Sequence, residues 1–113
     1  MSELDVMQYL LVQRNREREL MAKKDQLKER LRKMKKQLQL FEHRDDEIPC
    51  LIASNNLYQM ANVRTVREAL SGHLTVVMRT FLKTHRKLLR VQRRMRHVHT
   101  AFFNNVDRQV ANQ

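Results

Sequence analysis

The sequence predicts an all-α protein. Two long helices fold back as an antiparallel coiled-coil hairpin, and helices of partner chains complete it. Three observations carry this. First, the chain has 113 residues but only one glycine and one proline. So few turn residues allow few tight connections, which excludes β-sandwiches, barrels and doubly wound α/β domains. Second, apolar residues recur at alternating spacings of three and four, the heptad pattern. Third, the hydrophobic fraction is 42%, too high for simple disorder, yet tryptophan is absent and aromatics are 5%. Amphipathic helices reconcile those figures, whereas a large globular core does not.

The first helix is expected over residues 1–43. Ser2-Glu3-Leu4-Asp5 has the form of a capping box with an acidic residue at its fourth position. Leu20, Leu27, Met34 and Phe41 recur every seven residues, and Leu10, Leu31 and Leu38 fall in the offset register. Gln13, Glu17 and Lys24 occupy the same seam. Polar residues there weaken a coiled coil but fix register and partner number.

Residues 44–62 read as an acidic, proline-containing connection. Glu42 to Cys50 carries four acids and one basic residue, and Pro49 disfavours helix at Ile48. Leu51 to Ala61 reads as a short helix or an extended stretch, because Ser54-Asn55-Asn56 favours caps and turns.

The second helix is expected over residues 63–106. Thr65-Val66-Arg67-Glu68 has the capping-box pattern, with Asn56 and Asn62 as earlier starting points. The seam runs through Val63, Arg67, Leu70, Leu74, Val77, Phe81, Thr84, Leu88, Val91, Met95, Val98, Phe102 and Asn105. Gly72 inside it costs about 1 kcal/mol relative to alanine, which a helix this long absorbs. Fraying is expected after Asn104-Asn105, leaving residues 107–113 as a tail. The expected partner-facing seam is thus Leu20, Leu27, Leu31, Met34, Leu38 and Phe41 on the first helix. On the second it is Leu70, Leu74, Val77, Phe81, Leu88, Val91, Met95, Val98 and Phe102.

Charge is uneven along the chain. Of the formal net charge of +11, residues 1–41 carry +5, residues 42–50 carry −3 and residues 51–113 carry +9. Arg79, Lys83, Arg86, Lys87, Arg90, Arg93, Arg94 and Arg96 follow one another with no intervening acid, and all fall outside the seam. A solvated helix face ordinarily mixes signs, because i,i+4 ion pairs add about 0.2–0.5 kcal/mol each. A stripe of one sign repels itself, so an acidic partner is expected to neutralise it. Six arginines against two lysines favour bidentate phosphate contact, and no aromatic is interleaved for base stacking.

Known catalytic constellations are missing. One glycine cannot build a phosphate-binding loop, and no G-x-S-x-G elbow occurs. His43, His73, His85, His97 and His99 contain no i,i+4 pair of the kind a helical metal site uses. Neither an enzyme nor a cofactor or metal site is expected. The segment 91–96 matches the first half of a light-chain-binding IQ motif. His97 replaces its glycine and Ala101 its later basic residue, so Val91 and Met95 read as seam residues.

The function expected is that of a coiled-coil subunit or adaptor that assembles with other helical chains in a larger complex, as a hetero-oligomer rather than a homodimer. The alternative is sequence-independent binding of nucleic acid, or of another polyanion such as a microtubule, an acidic protein surface or an anionic membrane, through the Arg79–Arg96 stripe. The narrow apolar stripe fits a seam better than bilayer insertion. A single cysteine, Cys50, and the absence of an apolar leader pattern point to an intracellular protein of the nucleus or cytoplasm.

Overall fold

A computed structural model describes residues 2–112. Its elements in chain order are helix α1 (Glu3–Gln39), strand β1 (Pro49–Ser54), strand β2 (Leu57–Asn62) and helix α2 (Val63–Ala111). The chain is mostly helical and its two helices pack against each other. It divides into two compact units, one formed by residues 1–25 and 82–113 and the other by residues 26–81. Met1 and Gln113 lie outside the described residues.

The start of α1 follows from its first residues. The Ser2 backbone N–H donates to Asp5 Oδ2 and the Asp5 N–H donates to Ser2 Oγ, each at 3.2 Å. This reciprocal pair satisfies two of the donors that a helix start leaves without partners. Hydrogen bonding to the ionised carboxylate, from the Ser2 side chain first and its backbone N–H second, holds Asp5 below its ordinary pKa.

In the unit formed by residues 1–25 and 82–113, Leu20, Leu88, Val91 and Met95 form the buried centre, with Leu10 packed on it. Thr84 is buried in the same unit. The other unit buries Met34, Val63 and Val77. Arg30 Nη2 lies 2.9 Å from His73 Nε2. A guanidinium only donates, so in this contact the ring nitrogen is the acceptor. Arg30 meets His73 while the later Phe41 meets the earlier Arg67, so within this unit the helical segments run antiparallel.

Within the connection 44–62, the stretch from Leu51 to Ala61 takes the extended rather than the helical of the two expected forms. Residues 49–62 form an antiparallel hairpin in which Pro49 faces Asn62, Leu51 faces Met60 and Ser54 faces Leu57. The two-residue turn is Asn55-Asn56, with φ of 47° and 65°. Both lie in the left-handed region that a type I′ turn needs at its central positions. Asparagine tolerates that region nearly as glycine does. Counting glycines therefore undercounts the turns this chain makes. Substituting valine for Asn56 is expected to weaken the hairpin by roughly 1–2 kcal/mol, and substituting glycine to leave it intact or firmer. Amide exchange of residues 50–61 measures the difference. Equal protection in both variants would refute the turn assignment.

Two helix ends also differ from expectation. Helix α1 ends at Gln39 rather than residue 43, and its chain tightens through N–H donations from Leu40 to Gln37 O and from Phe41 to Leu38 O. Helix α2 begins at Val63 as expected, and of the candidate caps it is Asn62 that acts. Asn62 Oδ1 accepts from the Thr65 N–H at 2.9 Å, while the Val63 and Arg64 N–H groups donate to Ile48 O and Asp46 O. At its far end α2 continues to Ala111, so residues 107–111 are helical rather than a tail. There the half-buried apolar position after Phe102 is Val106, and Asn105 is exposed. An i,i+4 step thus keeps an apolar residue on the packed side beyond the asparagines.

Candidate interaction site

Three surfaces are candidates: the packed seam, the basic stripe and the apolar faces left open. Of the expected seam residues, Leu20, Met34, Val77, Leu88, Val91 and Met95 are buried. Leu27, Leu31, Leu38, Phe41, Leu70, Leu74, Phe81, Val98 and Phe102 are half-buried. Val91 and Met95 belong to the buried centre, as the seam reading of the IQ-like segment requires. Among the polar seam positions, Gln13, Glu17 and Lys24 are half-buried.

Arg67 fills its seam position in another way. Its guanidinium donates through Nε and Nη2 to Phe41 O at 3.2 and 2.8 Å, and through Nη2 to Arg44 O at 2.9 Å. Nη1 reaches Asp46 Oδ1 at 2.5 Å. One planar fork thereby binds carbonyls of the turn that follows α1 and ties the acidic connection to α2.

In the basic stripe, Arg79, Lys83, Arg86, Arg90, Arg93, Arg94 and Arg96 are exposed and Lys87 is half-buried. The recorded ion pairs join Arg14 to Glu17, Arg16 to Glu19, Arg32 to Glu29, Arg64 to Glu47 and Arg67 to Asp46. None of these involves a stripe residue, among the described residues. Lys83, Arg86, Arg90, Arg93 and His97 follow at spacings of three and four, forming one row along α2. Arg96 stands apart from it, on the wall of a groove.

That groove belongs to the unit formed by residues 1–25 and 82–113. It is an open trough of about 850 Å³, with Leu10 and Met95 among its lining residues. Met7, Leu11 and Arg14 line it from α1, and Gln92, Arg96 and His99 from α2. Sequence reasoning missed it. Its signal was a second apolar register, Leu4-Met7-Leu11, beside the seam.

The hairpin is the other open surface. Alternate residues of a strand share a face, so Leu51, Met60 and Tyr58 lie on one side of the sheet. They are 62%, 66% and 73% exposed, and Leu57 on the opposite side is 74% exposed.

Among the described residues no group of three or more His, Cys, Asp or Glu is placed to hold a metal ion, and no helix is long and apolar enough to cross a membrane. Neither a protein-family model nor a curated protein matches the chain.

Proposed function

We propose that this chain is a non-enzymatic coiled-coil subunit or adaptor that assembles with other helical protein chains in a larger hetero-oligomeric complex. The observation that carries the reading is the hairpin. A two-stranded sheet is marginal alone in water, and an open apolar edge invites pairing with other chains. Leu51, Tyr58 and Met60 present a continuous apolar face, and the outer edge of each strand retains backbone donors and acceptors. Strand addition from a partner would satisfy both. Half-buried seam residues such as Leu27, Leu31 and Phe81 retain exposed flanks for a partner helix to cover.

A second reading is sequence-independent polyanion binding. The exposed row of Lys83, Arg86, Arg90 and Arg93, without an ion pair among the described residues, supports it.

One experiment separates the two: capture of the purified, tagged chain's partners at low and high salt, with light scattering on the isolated chain. Assembly predicts protein partners that survive high salt and are lost from Leu51→Lys/Met60→Lys. Polyanion binding predicts partners that leave as salt rises. A monodisperse monomer with one complete cooperative melt and no salt-resistant partner would refute assembly.

A further inference from the structure

Within the unit formed by residues 1–25 and 82–113, we infer that the open groove seats one amphipathic helix of a partner protein, with acidic residues flanking its apolar stripe. The inference rests on the assembly reading above and specifies the partner chemistry at a surface separate from the hairpin.

The walls of the groove lie on two heptad rows: Met7, Leu11 and Arg14 line it from α1, and Gln92, Arg96 and His99 from α2, while Leu4 and Phe103 continue these rows beyond the lining. Leu4, Met7, Leu11 and Arg14 follow at spacings of three, four and three along α1. Gln92, Arg96, His99 and Phe103 follow at four, three and four along α2. Facing rows with this period are what a third helix packs between. The apolar part is unsatisfied: Leu4 is 64% exposed, Met7 61%, Leu11 62% and Phe103 49%. Phe103 meets His99 in a tilted contact, with ring centroids 4.4 Å apart and planes at 52°, which holds an aromatic surface at that end.

Charge selects the occupant. In the polar lining Arg14 pairs with the one acid, Glu17, at 3.8 Å, which leaves Arg96 as the uncompensated cation beside His99. The unit as a whole has thirteen basic and six acidic residues, net +7. A basic helix, a second copy of α2 included, would be repelled, whereas an acidic one is attracted and oriented.

The test uses two labelled synthetic helices of about 18 residues, ~27 Å long. Both carry leucine at i, i+3, i+7, i+10 and i+14, with glutamate flanking the stripe in one and lysine in the other. Fluorescence anisotropy should show saturable binding of the glutamate peptide and at least about tenfold weaker binding of the lysine peptide. Leu11→Asp should weaken the glutamate peptide by about tenfold or more. The pair Arg14→Glu/Arg96→Glu should reverse the preference. Leu11 and Arg96 are exposed, so helix content by circular dichroism is expected to stay unchanged in these variants. The hairpin variant Leu51→Lys/Met60→Lys should bind the peptide as the parent does, which keeps this result independent of the assembly test. Equal binding of both peptides, binding indifferent to these groove substitutions, no binding at all, or a homodimer dissolved by Leu11→Asp would each overturn the inference.

Discussion

Replacing Leu88 by alanine is expected to destabilise the unit formed by residues 1–25 and 82–113 by about 2–5 kcal/mol. Leu88 is 5% exposed and belongs to the centre made with Leu20, Val91 and Met95. Helical segments that meet along one stripe have few residues with which to close over a void. The lost transfer energy and the cavity therefore add rather than trade off. Much of a helix's stability comes from that stripe, so the loss is a large fraction of the whole. Leu82, in the same helix and unit but 43% exposed, supplies the control. Leu82→Ala removes the same atoms from a surface that is already wet, and it should change stability by less than about 1 kcal/mol. Urea unfolding followed by circular dichroism checks both. Equal losses from the two substitutions would mean that the burial difference does not control stability here.

Arg67→Met is expected to cost about 1.5–3 kcal/mol in the unit formed by residues 26–81. The guanidinium serves Phe41 O, Arg44 O and Asp46 Oδ1 together, and its side chain is 27% exposed. Methionine fills the volume but removes the charged donor from the partly buried Phe41 O, which keeps only the longer Arg44 N–H bond at 3.4 Å, and from the exposed Arg44 O. The Asp46 pair contributes the smaller share, because that carboxylate is half exposed and screened. Arg67→Lys should recover less than half of the loss, since one ammonium cannot span the separate acceptors. Amide exchange over residues 44–48 and the first turn of α2 reads the effect directly. Protection unchanged in Arg67→Met would remove the guanidinium from its role as the clamp.

Heptad spacing made the seam legible. Every apolar position it selected from Leu20 to Phe102 is buried or half-buried, because apolar residues three and four apart share one helix face and have only one way to leave water. The hairpin was not legible in the same way. Its strands lack the polar–apolar alternation of a half-covered sheet, since Leu51, Ile52, Leu57 and Tyr58 are all exposed. Only the paired asparagines marked the turn, and the helical context around them obscured that signal. Arg67 looked like a flaw in the seam. Nothing in the one-dimensional pattern shows that carbonyls 26 and 23 residues earlier lie within its reach.

The sequence by itself determined the two long helices, the position of the break between them and the one-signed row of cations. Each of these is a local property, set by periodicity, capping and the lack of neighbouring acids. Only the tertiary structure decided that residues 49–62 pair as strands, that Arg67 ties the connection down, and that Arg96 lines a groove instead of joining the outer row. Those outcomes depend on which distant backbone and side-chain groups are brought together, and hydrogen bonds and burial act through space rather than along the chain.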